Sequence, residues 1–171
     1  MRKFVWLLAL LPAMAFSQVK TKDMETEELK DGWVRVKTTS YTLEIPKGWD
    51  VTAETSFGQR EMTSGPAKMS AMTAPGNGGP TNWDSLYQTA VYFSTRGGGK
   101  ATPYKMSKSK QGYDAMSYSV VKDGFAASRY VILRSPKGDI LALSVTIPEV
   151  KREADLMKVF DRMVRTANIK V

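Results

Sequence analysis

Two serine–lysine pairs are the residues of this sequence whose types and spacing come nearest to covalent chemistry. Ser107 precedes Lys110 by three residues, and Ser119 precedes Lys122 by the same interval. In penicillin-binding enzymes this spacing lets a lysine activate a serine nucleophile across one turn of a helix. Both pairs here fall in segments that favour strand or turn, where side chains three residues apart point to opposite faces. They are weak candidates for catalysis, and a hydrolase that uses carboxylates or a Ser/Lys pair is kept as the alternative function.

A run of glycines before Lys100 resembles the end of a phosphate-binding loop. The Walker A motif also needs a glycine five positions before its last glycine and a serine or threonine directly after the lysine. Here Ser94 and Ala101 occupy those two positions. We therefore interpret Gly97-Gly98-Gly99 as a loop that ends a helix.

Acidic and methionine side chains offer two further sets of ligands. Carboxylates could serve a glycosidase or hold a hard cation, and methionine sulfurs could bind copper(I). We interpret the carboxylates as a solvated surface and the methionines as filler of a hydrophobic core. The sequence therefore predicts no catalytic residue, no metal ion and no cofactor. The residues weighed are Glu25, Glu27, Glu28, Glu149, Glu153, Asp155 and Asp161, and Met62, Met69, Met72, Met106 and Met116.

A run of lysines interleaved with tyrosines is the remaining candidate site. Lys105, Lys108 and Lys110 lie between Tyr104 and Tyr113. Such a run could contact an acidic polymer, an anionic lipid surface or a partner, or it could only protect an edge strand against aggregation. We mark the three lysines as candidate contacts for an anion or a partner, and expect another protein or an envelope component, with no nucleic acid. Binding to anionic vesicles should be weak or absent, since the sequence shows no aromatic-flanked amphipathic helix.

Composition excludes most familiar catalysts. The chain has 171 residues, a formal net charge of +8, no cysteine and no histidine. Without cysteine there are no disulfides, thiolate metal sites or cysteine nucleophiles. Without histidine there is no Ser-His-Asp machinery and no side chain whose ordinary pKa lies near neutrality. The length and the 42% hydrophobic content fit one globular domain.

The first residues have the three regions of a secretory signal peptide. Arg2 and Lys3 precede an apolar run over residues 4–11, and small residues follow Pro12. Cleavage fits after Ala15 or after Ser17, and we favour Ser17. An uncleaved anchor is the competing interpretation, but the run is short for a membrane span. We therefore expect a signal peptide over residues 1–17 and a periplasmic or secreted product without a transmembrane segment.

Alternating apolar and polar residues from Trp33 onward predict an antiparallel sheet. Residues 18–32 before it are polar and mixed in charge, so we predict a polar leader that is mobile or forms a short helix around residues 24–30. Pro46-Lys47-Gly48 predicts a turn that leads to a buried Trp49. The predicted strands cover residues 33–37, 41–45, 49–54, 57–62, 67–73, 102–107, 113–121, 125–134 and 139–147.

Two helices complete the predicted elements. The first is capped by Thr81 or Asn82 and stops before the glycine run. The second covers residues 149–167 and carries an apolar stripe that includes Phe160. We expect Phe160 to pack against the sheet.

The stretch from Tyr41 to Trp49, an alternating strand that ends in Pro-x-Gly-Trp, resembles the opening of the PsbP-like and Mog-like domains. The order that follows agrees: strands, a middle helix, long hairpin strands and a final helix. The resemblance covers residues 33–171. It implies a single-domain α/β/α sandwich of the α+β class, with an antiparallel sheet of about six or more strands on which both helices pack. It also implies a non-enzymatic binding or assembly module, and no motif of binding residues matches, so no functional residue is carried over.

The export signal yields a direct prediction. We expect the intact mass of the protein recovered from the exported fraction to correspond to a chain that begins at Gln18, or at Phe16 if cleavage follows Ala15. Recovery of the full-length chain in membranes would contradict the cleavage.

Overall fold

Antiparallel strands make up most of the structure. The computed structural model describes residues 24–55, 58–76 and 82–170. These residues form a large sheet of eight strands, a small sheet of four strands and two α-helices. The middle helix packs on one face of the large sheet, and the C-terminal helix and the small sheet pack on the other. The expected single-domain α+β sandwich with two packed helices is confirmed.

The first three strands and the last strand form the small sheet, and the strands between them in the chain form the large sheet. The small sheet has the order β1-β2-β3-β12, and the large sheet has the order β4-β5-β6-β11-β10-β9-β7, with β8 also paired to β9. A 3₁₀ turn over Val150–Arg152 precedes the last helix. The elements are β1 Met24–Glu28, β2 Trp33–Thr38, β3 Tyr41–Pro46, β4 Asp50–Val51, β5 Gln59–Ser64, β6 Ala67–Ala74, α1 Trp83–Ser94, β7 Lys100–Ala101, β8 Lys105–Lys108, β9 Asp114–Lys122, β10 Phe125–Arg134, β11 Ile140–Thr146, α2 Glu153–Thr166 and β12 Asn168–Ile169.

Local signals account for these elements. In β3 the side chains of Tyr41, Leu43 and Ile45 alternate into the core and are at most 2% exposed. The turn after β3 includes Gly48, whose φ of +85° favours glycine. Helix α1 begins where the Asn82 side chain accepts a hydrogen bond from the backbone N–H of Ser85 at 2.7 Å. The predicted capping residue at this helix is therefore confirmed.

Each face of the large sheet has its own hydrophobic core. On one face, Met116, Ile132 and Ile140 pack with Leu86 of α1. On the other face, the alternate residues of the same strands pack with α2 and the small sheet, and Phe160 is fully buried there. Because both faces are covered there, residues 131–133 of β10 and 140–143 of β11 are apolar at every position.

A buried carboxylate joins α2 to the small sheet. Glu44 of β3 is 7% exposed and accepts hydrogen bonds from Arg162 of α2 at 2.8 and 3.0 Å and from Arg35 of β2 at 3.0 Å. Burial alone would raise the pKa of Glu44, but the bonds from Arg162 and Arg35 outweigh it and lower that pKa. The Arg162 guanidinium also contacts Asp31 at 2.7 Å and lies 4.1 Å from the ring centre of Trp33.

Three predicted elements differ from the structure. Residues 24–28 form strand β1, because Met24 is buried in the core and β1 pairs with β2. The mobile or helical interpretation of that part of the leader was wrong, while residues 18–23 lie outside the described residues. The strand expected over 49–54 is reduced to Asp50–Val51, and Trp49 is only partly buried. The strand expected over 102–107 is two short strands, β7 and β8, with an irregular segment between them.

Burial separates three aromatic side chains that the sequence does not distinguish. We expect Phe160→Ala to lower the free energy of unfolding by about 3–5 kcal/mol, because it removes a fully buried ring. Trp49→Ala should cost less, since the native ring is partly exposed. Phe93→Ala is the matched control, with its ring 59% exposed. Urea unfolding measures all three, and equal losses at Phe160 and Phe93 would contradict the packing.

Candidate anion-binding site

A bulge interrupts the edge strand of the large sheet. Ala101 of β7 pairs with Val120, and Lys105 of β8 pairs with Ser117, so three residues of the edge face two residues of β9. Pro103 lies in this bulge and has no N–H for the ladder. β-Bulges are common at sheet edges, where they redirect side chains.

The hydroxyl of Thr102 repairs part of the interrupted ladder. The backbone N–H of Thr102 donates to the carbonyl of Ser119 at 2.9 Å, and the backbone N–H of Ser119 donates to Oγ1 of Thr102 at 3.1 Å. A side-chain oxygen thus replaces a backbone carbonyl as the acceptor for Ser119. The remaining bulge residues are left free to line a pocket.

The bulge opens a pocket of about 460 Å³ at the sheet edge. Two cations, Lys105 and Arg129, belong to its wall. Arg129 pairs in register with Ser119, and Lys105 pairs with Ser117, so these four side chains share one face of the sheet. The pocket is lined by Thr102, Pro103, Tyr104, Lys105, Ser117, Tyr118, Ser119 and Arg129.

The two cations of the pocket have no acidic neighbour in contact. Among the described residues, neither Lys105 nor Arg129 forms a salt bridge, and Arg129 is half-buried. By contrast, Arg35, Arg60 and Arg162 each contact a carboxylate within 3.5 Å. Hydroxyl groups of serine and threonine beside the two cations add neutral hydrogen-bond donors. The arrangement therefore suits a negatively charged group of small size.

Tyrosines tie the bulge to helix α1. The hydroxyl of Tyr104 donates to Oδ1 of Asp84 at 2.6 Å, and the hydroxyl of Tyr87 donates to the carbonyl of Thr102 at 2.7 Å. The rings of Tyr87 and Tyr104 lie 5.0 Å apart. The hydrogen bond to Asp84 raises the pKa of Tyr104, and burial raises the pKa of Tyr118 to about 12. The bonds from Tyr87 and Tyr104 therefore fix the position of the bulge relative to α1.

The structure separates the three lysines marked in the sequence. Lys105 lines the pocket. Lys108 lies three positions further along β8, on the opposite face, where it contacts Asp114 at 2.5 Å. Lys110 lies in the turn between β8 and β9 and is exposed. The sequence analysis did not identify Arg129 as a pocket cation. What could have indicated it is a charged residue two positions before Val131, on a face of β10 that is otherwise apolar.

The other chemical candidates are dispersed. Nζ of Lys122 donates to the carbonyl of Gly97 at 3.3 Å. Lys122 and Ser119 lie on opposite faces of β9, because they are three residues apart in the strand. Within the described ranges, no group of three or more acidic residues is placed to hold a metal ion. Met62, Met69 and Met116 are buried, as core filler should be, while Met72 and Met106 are 41% and 45% exposed. Glu27 of β1 contacts Lys37 and Arg35. The pKa of Glu27 is lowered, chiefly by the hydrogen bond from Lys37.

Comparison with known proteins assigns the fold. No family model matches the chain, and no curated protein matches it in sequence. The solution structure of cyanobacterial PsbP (CyanoP) from Synechocystis sp. PCC 6803 matches with a TM-score of 0.54 and 13% identity, over 93% of this chain and 99% of that one. The chain has a PsbP/Mog1-like fold. The crystal structure of the Saccharomyces cerevisiae Ran-binding protein Mog1p gives a TM-score of 0.52 and 13% identity, over 86% of this chain and 95% of that one.

The resemblance stated from the strand ending in Pro-x-Gly-Trp is thereby confirmed for the fold. In the described parts of the chain, no helix has the length and apolar character needed to cross a membrane. The site itself is described from this chain alone, because an identity of 13% transfers no residue.

Gly99 lies directly before strand β7 and packs closely against β9. Its φ is +104°, and a Cβ there would lie 2.8 Å from Val120 Cγ1 and from the carbonyl of Val121. We expect Gly99→Ala to lower the free energy of unfolding by about 1–3 kcal/mol and to loosen the edge at the pocket. Gly97→Ala is the matched control, since a Cβ at Gly97 has no neighbour within 4 Å. Thermal unfolding with amide exchange of residues 100–105 measures the effect, and equal behaviour of the two variants would contradict this close packing.

Proposed function

We propose that this chain is an exported, non-enzymatic binding module that holds an anionic group of a protein or envelope partner in the bulge pocket. The observation that carries the proposal is the meeting of Lys105 and Arg129 in one pocket, both without a carboxylate contact among the described residues. An arginine fork fits a carboxylate or phosphate with two parallel hydrogen bonds, and a lysine adds a compact positive charge. The ligand class is therefore a carboxylate or phosphate group.

Partial burial of Arg129 favours anion binding at this place over a fully exposed site. A half-buried guanidinium is less screened by salt than a fully exposed one, so its attraction for an anion is stronger. The serine and threonine hydroxyls of the wall provide additional donors without adding charge. Lys108 lies on the opposite face and contacts Asp114, and Lys110 lies in the turn after β8, so neither lines the pocket.

The side-chain geometry supports binding better than hydrolysis. Ser119 and Lys122 lie on opposite faces of β9, so the lysine is not placed to take a proton from that serine. Glu44 is held ionised between two arginines, which makes it a poor acid at neutral pH. A second function as a hydrolase has no observation that favours it.

The fold and the N-terminal sequence support the remaining parts of the proposal. One solved neighbour is named a Ran-binding protein, so this fold serves protein recognition in that case. The signal-like residues 1–17 support export to the periplasm or the medium, with the mature chain beginning near Gln18. The folded domain then acts outside the cytoplasm, where its partner is a protein or an envelope component.

Thermal stabilisation by inorganic phosphate tests the pocket. Phosphate at a hundred times its dissociation constant should stabilise the wild type by about 2.7 kcal/mol, because it binds only the folded state. Arg129→Gln and Lys105→Gln should each remove most of this stabilisation. Lys108→Gln is the matched control and should keep it, because Lys108 lies on the other face. Equal losses in all three variants, or stabilisation unchanged by Arg129→Gln, would contradict the site.

A further inference from the structure

The outer side of helix α1 carries two exposed aromatic rings. Tyr92 and Phe93 are 63% and 59% exposed, and their ring centres lie 5.3 Å apart. They fall outside the apolar stripe that packs on the sheet, so the hydrophobic core does not require them. Exposed rings of this size in adjacent positions lower solubility, and contiguous exposed apolar surface is typical of binding sites.

Arg96 stacks on both rings, and Lys122 lies at the end of the same helix. The guanidinium of Arg96 lies 4.7 Å from the ring centre of Tyr92 and 4.8 Å from that of Phe93. Nζ of Lys122 lies 3.3 Å from the carbonyl of Gly97, directly after the helix. Lys100 pairs in register with Val121, so its side chain belongs to the pocket face of the sheet and not to the face that α1 covers.

Positive charge dominates this end of α1. Within the described residues, neither Arg96 nor Lys122 forms a salt bridge, and Asp123 is the acidic residue next to Lys122 in the chain. Cation–π contact with two rings keeps the Arg96 guanidinium beside the apolar surface instead of extended into water. We define the aromatic–cationic surface as Tyr92, Phe93, Arg96 and Lys122.

We propose that the aromatic–cationic surface docks the protein on an anionic lipid bilayer. Tyrosine and other amphipathic rings favour the membrane–water interface, and lysine and arginine near that interface are attracted to anionic headgroups. The rings insert among the headgroups while Arg96 and Lys122 meet the phosphates. This departs from the sequence-based expectation of weak or absent vesicle binding, because the rings lie off the packing stripe of α1 and become evident only once its buried face is known.

A lipid surface fits these residues better than a small anion. The cations of the bulge pocket, Lys105 and Arg129, lie on the face of the sheet opposite α1 and have hydroxyls beside them. The surface on α1 instead combines two exposed rings with Arg96 stacked on them, and a soluble anion would leave both rings in water. The two sites are therefore independent, and the variants that test one leave the other intact.

Vesicle co-sedimentation tests the proposal. The probes are vesicles of phosphatidylcholine with about a quarter phosphatidylglycerol, and vesicles of phosphatidylcholine alone. We expect binding to the anionic vesicles that weakens at high salt. The double variant Tyr92→Ser with Phe93→Ser should lose at least about tenfold in affinity, since each ring buries apolar area in the interface. Lys122→Gln should lose about fivefold, which corresponds to about 1 kcal/mol for each cation near the surface.

Matched variants serve as controls. Val150→Ser removes a side chain that is 59% exposed, like Phe93, and Lys158→Gln removes an exposed lysine of α2, so both should bind like the wild type. All proteins are the mature chain that begins at Gln18, so the apolar residues 4–11 make no contribution to vesicle binding. Because the substituted side chains are exposed, unfolding temperatures should be unchanged, and Arg96→Gln supplies an independent test of the same surface.

Three outcomes would overturn the proposal. The first is no preference for anionic over neutral vesicles. The second is equal binding by the wild type and the double aromatic variant. The third is binding to soluble polyglutamate with the same affinity as to the anionic vesicles, which would show that charge alone is recognised and that the rings face a soluble acidic partner.

Discussion

The contact of Glu44 with Arg162 and Arg35 holds helix α2 against the small sheet. Glu44 belongs to the small sheet and Arg162 to α2, while Phe160, two residues earlier in that helix, fills the core beneath. Removing one partner of a buried ion pair typically costs about 3–5 kcal/mol, because the other charge stays buried without compensation. The position of α2 is therefore fixed by charge on one side and by apolar packing on the other.

The position of α2 also leaves the pocket open. The helix packs chiefly against β3 and β11, and its C-terminal end reaches the β8–β9 turn, where Gln111 donates to the carbonyl of Arg165 at 2.8 Å. The sheet face around Ser119 and Arg129 lies beyond this cover. Because the bulge at Pro103 interrupts the edge there, the half-buried arginine faces a pocket and not a packed helix. The binding site is thus a consequence of incomplete cover at one edge of the fold.

The sequence predicts the fold better than the site. Alternation in β3, the Asn82 cap and the apolar stripe around Phe160 are local patterns, and each has the predicted structure. Strand β1 was missed because its residues are polar except Met24, and its pairing with β2 supplies the stability that its own sequence lacks. The pocket depends on the register in which β8, β9 and β10 pair, so the sequence alone does not show that Lys105 and Arg129 lie together. The lysines looked alike in sequence, and only the strand faces separate Lys105 from Lys108.

The central claim is that Arg129 holds an anion in the bulge pocket. The most direct measurement follows the Nε–Hε signals of the arginine side chains by nuclear magnetic resonance while inorganic phosphate is added. The account predicts a saturable shift of the Arg129 signal, while Arg35 and Arg162, already held by Glu44, stay unchanged. A shift that never saturates, or one that affects exposed Arg96 as strongly as Arg129, would contradict it.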